Sequence, residues 1–346
     1  MKVGIDVSQA VYGTGVSDYT IELVNNLKKI TSVVPVGFSL RRQSELKKLF
    51  PDASVFPIPP TALHLLWNRL HIVNFENFTP GKIDIYHSSD WTQAPDSTRK
   101  ITTVHDLTPF IYPAEHHSRI VAVHKARMHW VVRECDAVIC VSENTAADFA
   151  RLFAYPRENI HVIPEALPSR FEIVPGPSPY ENYLVAIGTR QPRKNIDRLV
   201  SAFIKYQSRY RLPEKLVIIG EKPPRESRPD PSVIFTGYVS DQELADLLAG
   251  AVCFVYPSLY EGFGIPVLIS FYHHVPVACS RTSSFPEVAG SAAAYFNPAD
   301  GESIALGVQK AIKNHKQLVT LGTAQLQKFS WAQTAQATLQ FYNSIL

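Results

Sequence analysis

Short, near-continuous apolar runs rich in β-branched residues alternate with longer amphipathic stretches from one end of the chain to the other. Seven strand-like runs come first, near 2–7, 34–40, 54–58, 84–88, 101–105, 137–141 and 161–163. Five more follow, near 183–188, 216–220, 233–237, 251–256 and 275–278. Helical patterns lie between them, for example at 16–30, 119–133, 195–206 and 241–248. Strands that are apolar throughout, joined by helices, belong to parallel sheets covered on both faces. The expected class is therefore α/β, with doubly wound, Rossmann-like sheets.

A length of 346 residues fits two such sheets better than one. The break falls at 174–180, where three prolines and a glycine in VPGPSPY can continue neither a helix nor a central strand. This predicts a first Rossmann-like domain at 1–173, a linker at 174–180 and a second Rossmann-like domain at 181–328. Sheets of this kind bind ligands outside the carboxyl ends of their strands, so two of them are expected to face each other across a cleft.

Charge excludes one class of partner. Lys and Arg number 34 against 31 Asp and Glu, a formal +3. No dense cationic field is left for a phosphate backbone, so nucleic acid is not an expected partner. Cys135, Cys140, Cys253 and Cys279 have neither zinc-site nor disulfide-framework spacing and read as buried thiols. Asp6 interrupts any leader-like apolar segment, and no window is apolar for the length of a membrane span. The expected location is cytoplasmic.

Chemistry concentrates at strand-to-helix turns. After the run at 251–256 come Ser258, Glu261, Gly262, Phe263 and Gly264, and Ile265-Pro266 opens a helix with proline in a tolerated first-turn position. Glycines there let backbone N–H groups approach an anion, and Glu261 suits sugar hydroxyls; a tight turn with a solvated glutamate has the same sequence. After the run at 183–188, Arg190, Arg193 and Lys194 stand where cations neutralise phosphates, although basic solvated loops are common. In the first half, Gly13, Thr14 and Gly15 form a Gly-containing loop without the third glycine of a dinucleotide fingerprint. His105 and Asp106 end a strand, where a histidine serves either a ligand or the fold. There is no paired-aspartate metal motif, Walker loop or nucleophile elbow, so no metal and no cofactor are expected. Fixed cations and backbone dipoles are left to handle any phosphate.

Taken together and in order, GTGVSDYT, IYHSSDW, TVHDLTPFIYP, VICVSENTAADF, GTRQPRKN, FTGYVSDQELADLLAGA, YPSLYEGFGIPV and SSFPEVAG resemble a family 4 retaining glycosyltransferase of GT-B architecture. The likeness runs nearly end to end and leans toward bacterial mannosyltransferases of polysaccharide assembly. It implies that the tail at 329–346 is a helix crossing back onto the first domain. It also implies a nucleotide-sugar donor, and a glycan or lipid-linked acceptor. Arg193 and Lys194 would clamp the donor diphosphate, and Glu261 would meet donor sugar hydroxyls. Gly262, Phe263, Gly264, Ser258 and Gly237 would line the donor site. His105 would sit beside the reacting sugar, and Gly13, Thr14, Gly15 and Asp106 would border donor and acceptor.

Four positions depart from the family: His273 and His274 replace its usual Cys-Gly, Ala166 in VIPEALPSRF stands where a glycine is common, and Ile269 matters most. The family's E-x7-E pattern places a ribose-binding glutamate where this chain has Ile269. Losing a hydrogen bond to a charged group, worth roughly 1.5–3 kcal/mol, corresponds to about a ten- to hundredfold loss of donor affinity. A non-catalytic GT-B-like binding protein and a nucleotide-sugar epimerase are therefore the alternatives to a transferase. The helical stretch at 114–133 carries four Lys or Arg and four His. It reads either as a basic face for peripheral contact with anionic lipid or as an ordinary solvated helix.

Overall fold

The structure, a computed structural model, describes residues 1–222 and 230–346. The chain forms two compact units, one of Met1–Pro168 with Ser330–Leu346 and one of Ser169–Phe329.

The first unit holds seven strands: β1 (Lys2–Asp6), β2 (Ser32–Phe38), β3 (Ser54–Phe56), β4 (Ile85–Ser88), β5 (Arg99–Val104), β6 (Ala137–Cys140) and β7 (Ile160–Val162). They lie side by side as β3-β2-β1-β4-β5-β6-β7, every neighbouring pair parallel. The second unit holds β8 (Tyr183–Ile187), β9 (Lys215–Ile219), β10 (Val233–Gly237), β11 (Cys253–Tyr256), β12 (Val277–Ser280) and β13 (Ala293–Phe296). Their order is β10-β9-β8-β11-β12-β13, again all parallel. Both are doubly wound sheets whose chain order reverses once, between β1 and β4 and between β8 and β11. At such a reversal the two flanking loops diverge and leave a crevice.

The apolar strands have the expected partners. Leu184, Ala186, Leu216, Ile218 and Val255 are buried against Leu199, Phe203 and Ile304 of the covering helices. In the first unit Phe38, Trp67, Phe75 and Tyr86 form an aromatic cluster on one face, and Val104, Met128, Val131 and Phe149 pack elsewhere in the same unit. The helix Trp331–Ile345 belongs to this first unit. Trp331 Nε1 donates to the Leu167 carbonyl at 2.9 Å, and Thr334 Oγ1 donates to that of Pro164 at 2.9 Å. Phe341 and Tyr342 are buried, each contributing about 1.5–3 kcal/mol of transfer free energy.

Three features differ from the sequence reading. The thirteenth strand, β13, has the sequence AAYF, with no β-branched residue to signal it. Residues 174–180 lie within the second unit rather than between units. The Gly176 N–H donates to Asp246 at 2.6 Å, Gln242 donates to the Val174 carbonyl at 3.2 Å, and Arg170 pairs with Asp241 at 2.7 Å. The helix Ser118–Glu134 does not present all its cations to solvent. Arg127 is fully buried on Asp90, Thr102 and the Thr103 carbonyl, and His124 is buried too. The four cysteines are free, buried thiols. Among the described residues, no helix is long and apolar enough to cross a membrane.

Candidate active site

The loops after β8 and β11 flank the reversal of the second sheet, and this brings together residues almost seventy positions apart. After β8 the chain makes a tight turn at Pro192–Lys194 and then places Asn195 in the left-handed region, φ 57°. Asn195 Nδ2 anchors that turn to the Pro257 carbonyl at 3.1 Å and the Pro298 carbonyl at 2.8 Å. The Leu259 N–H donates to the Arg193 carbonyl at 2.7 Å, tying the second loop to the first. The cations and the carboxylate are thus held by backbone contacts before any ligand arrives.

Glu261 sits between both cations. Lys194 Nζ is 2.6 Å from its Oε1, and Arg193 donates to its Oε2 at 3.4 Å. Arg193 also donates to the Tyr260 carbonyl and to Gln191. Burial opposes the charge on Glu261, but Lys194 and Arg193 outweigh it and hold the carboxyl below its usual range. The trio carries one surplus positive charge. Tyr256, whose hydroxyl is 3.5 Å from Lys194 Nζ, is held as the neutral phenol chiefly by burial, with the Glu261 charge adding to it.

The turn that follows is built for close approach. Gly264 has φ +123°, a conformation that a side chain disfavours, and it precedes the helix Ile265–Tyr272. Ser283 and Ser284 donate to the Glu261 carbonyl at 2.6 and 3.1 Å, which fixes the loop from its other side. Gly262, Phe263 and Ser258 are buried within it, with the Phe263 ring edge-on to Phe329. Ile269 is buried at 3% exposure. Gly237 lies elsewhere, at the end of the edge strand β10, two strands from the reversal.

The first unit repeats this logic. The loops after β1 and β4 are joined where Gln9 accepts from the Asp90 N–H at 2.7 Å. Between them opens a pocket of about 300 Å³ walled by Tyr12, Phe38, Pro60, Leu63 and Trp91. Gly13 has φ +67°, and Thr14 caps the helix Gly15–Leu27 reciprocally with Ser17. His105 is buried at the end of β5, its Nδ1 2.8 Å from Glu165 Oε1. The Tyr19 ring stands edge-on to it at 4.5 Å. Asp106 turns away to cap the next turn, accepting from the Thr108 N–H and hydroxyl at 2.8 and 2.7 Å. Of the residues singled out from sequence, Arg193, Lys194 and Glu261 form one cluster. His105, Asp106 and the glycine loop belong to the other unit. Glu165, Tyr19 and Tyr256 are assigned no role by the sequence; only their pairing in three dimensions reveals them.

A family model described as Glycosyltransferase Family 4 matches residues 13–168, and one described as Glycosyl transferases group 1 matches 181–314. The O-antigen chain mannosyltransferase B of Escherichia coli is 31% identical over 286 residues, covering 75% of this chain and 74% of that protein. The chain belongs to glycosyltransferase family 4. The O-antigen chain mannosyltransferase RfbU of Salmonella typhimurium is 31% identical across 62% of this glycosyltransferase and 60% of RfbU. Among solved structures, sucrose-phosphate synthase from Thermosynechococcus elongatus matches at a TM-score of 0.73 with 17% identity, covering 100% of this chain and 99% of that one. Anabaena HepE, solved with UDP and glucose, matches at 0.69 with 13% identity, covering 99% and 100%. These likenesses give the glycosyltransferase its fold, GT-B. Among its described residues, no three His, Cys, Asp or Glu side chains are grouped to hold a metal ion.

Proposed function

We propose that this glycosyltransferase moves mannose, with retention, from a nucleoside diphosphate sugar to a glycan or lipid-linked acceptor in bacterial surface-polysaccharide assembly. The observation that carries the reading is the Arg193–Lys194–Glu261 cluster at the reversal of the second sheet, with its surplus positive charge. The O-antigen mannosyltransferases among the relatives support mannose as the sugar, and the UDP and glucose held by HepE support a nucleotide-sugar donor.

In this reading the donor diphosphate lies against Lys194 and Arg193, and Glu261 accepts from donor sugar hydroxyls. As the bond from the sugar's anomeric carbon to the phosphate oxygen breaks, its electron pair stays on the diphosphate, where the two cations stabilise it. The acceptor oxygen bonds to the same face of that carbon and gives its proton to the departing phosphate oxygen. No protein nucleophile is needed.

The acceptor belongs with the first unit, whose aromatic-walled pocket lies beside the glycine loop. Peripheral contact with an anionic membrane on the cytoplasmic side is part of the proposal. Arg119, Lys125 and Arg133 are the exposed cations of helix Ser118–Glu134 that would serve it.

The test is a thermal-shift screen of GDP, UDP, ADP and their sugar conjugates, followed by transfer of labelled mannose from the preferred nucleotide to an isolated O-antigen acceptor. The expected result is stabilisation by one nucleotide and a labelled product. Stabilisation without transfer of any sugar overturns the reading.

A further inference from the structure

His105 has a partner to which the sequence assigns no role. Glu165 follows β7, sixty residues later in the chain, yet the sheet order β5-β6-β7 brings its carboxylate to 2.8 Å from His105 Nδ1. Both side chains are almost wholly enclosed, His105 at 9% exposure and Glu165 at 6%. The pair is also braced from the side. The Tyr19 ring stands edge-on to the imidazole, and the Tyr19 hydroxyl is 3.0 Å from Thr103 Oγ1. Tyr19 in turn packs edge-on against Trp331 of the C-terminal helix, at 5.7 Å between ring centroids. The second ring nitrogen, Nε2, has no hydrogen-bond partner among the described residues.

We propose that Glu165 is the positioning residue for His105: it fixes the ring plane, keeps a proton on Nδ1 and leaves Nε2 as the atom that meets substrate. The proposal rests on the transferase reading above, in which His105 lies beside the reacting sugar. A buried imidazole with one nitrogen tied to a carboxylate has a defined tautomer and orientation, and these are what a histidine needs to bind a hydroxyl or phosphate oxygen at a set angle.

The electrostatics fit a charged ring. Burial by itself would lower the pKa of His105. The Glu165 hydrogen bond and charge, helped by Asp90 and Asp106, outweigh it and raise the pKa above 6.5. The other groups near the ring are the uncharged Tyr19 hydroxyl, the buried neutral His87 and Arg127, which pairs with Asp90 at 3.3 Å. The protonated ring then presents Nε2–H as a donor. Activity that depends on this form declines as pH rises through the raised pKa.

Two substitutions separate positioning from simple support of the fold. Glu165→Gln keeps the shape and an acceptor oxygen but removes the charge; Glu165→Ala removes both. Imidazole ¹⁵N NMR of the whole protein, with the His105 signal assigned by its loss in His105→Gln, reads the pair without any activity. The expected result is a wild-type His105 pKa above 6.5 that falls to 6.5 or below in Glu165→Gln. In steady-state transfer, Glu165→Gln is expected to move the high-pH limb of kcat to lower pH and leave the donor KM within about threefold. Glu165→Ala is expected to lower kcat about a hundredfold, in the range of a lost acid–base or donor group. A wild-type pKa at or below 6.5, or one unchanged in Glu165→Gln, overturns the proposal. So does a Glu165→Gln enzyme with an unaltered pH profile, even if it melts earlier. If the wild-type protein transfers no sugar at all, the transferase reading fails separately, and the NMR titration still decides the pair.

Discussion

Lys194 Nζ rests 2.6 Å from Glu261 Oε1, although 67 residues separate them, because β8 and β11 are neighbours and both loops leave the same edge of the sheet. Glu261 thereby occupies part of the two cations' hydrogen-bonding capacity and leaves the cluster singly positive. On the proposed function, a donor diphosphate meets that single charge, and the gain grows as charge develops on the leaving group.

That arrangement predicts a selective loss in Lys194→Ala. Glu261 keeps Arg193, so the fold is expected to persist, with a melting temperature within a few degrees of wild type. Sugar transfer is expected to fall by roughly 10²–10³-fold, the range seen when one preorganised charge-stabilising donor is removed. Steady-state kinetics with a circular-dichroism melt measures both. Near-normal turnover would place the diphosphate away from Lys194.

Gly264 offers a backbone test of the same loop. At φ +123° an alanine is strained whatever room it has, and the space is adequate, since a Cβ would meet nothing closer than Phe285 at 3.6 Å. Gly264→Ala is expected to cost about 1–3 kcal/mol of stability and to raise the donor KM. Gly15→Ala is the control: an added Cβ there meets nothing within 4 Å and φ is ordinary, so stability is unchanged or rises by up to about 1 kcal/mol. Equal melting of both variants would mean that the turn relaxes without strain.

The contrast between these loops and the rest of the chain shows what local sequence carries. Twelve strands were legible because continuous β-branched runs have few other uses, whereas the AAYF of β13 takes its strand character from pairing with β12. The prolines at 174–180 read as a linker because an extended proline segment looks alike in sequence whether it is free or docked; here Asp246 and Gln242 hold it. Arg127 read as a surface cation because its burial depends on Asp90, 37 residues away. The cationic loop and Glu261 were visible as motifs. The role of Glu165 was not, since its pairing with His105 depends on a strand order that no short window contains.

Ile269 is one of the positions at which this chain departs from the expected family pattern, and the structure sharpens the test. The side chain is buried at 3%, so a glutamate introduced there loses solvation unless a ligand compensates. Ile269→Glu is therefore expected to melt earlier than wild type without ligand and to bind the preferred nucleoside diphosphate about tenfold more tightly. That gain corresponds to one hydrogen bond to a charged group, roughly 1.5–3 kcal/mol, less the cost of burial. Calorimetry and melting, each with and without nucleotide, separate the two effects. An earlier melt with unchanged affinity would show that the ribose lies elsewhere.

His87 predicts how the first unit responds to acid. It is fully enclosed, with Nδ1 2.7 Å from the Tyr342 hydroxyl and Nε2 3.0 Å from Thr103 Oγ1, so it joins the C-terminal helix to β4 and β5. Burial first, then the nearby His105 and Arg127, lower its pKa from 6.5 to about 3. Between those values the unfolded chain binds a proton that the folded chain refuses. Its contribution is therefore complete above pH 6.5 and is lost as pH falls from 6.5 toward 3. From pH 7.5 to pH 5 the linkage amounts to about 2 kcal/mol. Carboxylates held below their usual range, such as Glu261, lose their contribution at lower pH, and comparison with a His87 variant cancels what other groups contribute. His87→Gln retains a donor and an acceptor but not the titration. Urea unfolding at pH 7.5 and pH 5 is expected to show a drop in wild type that is smaller by about that amount in His87→Gln. Equal drops would mean that His87 takes up its proton in the folded protein and that the Tyr342–His87–Thr103 chain rearranges to accommodate it.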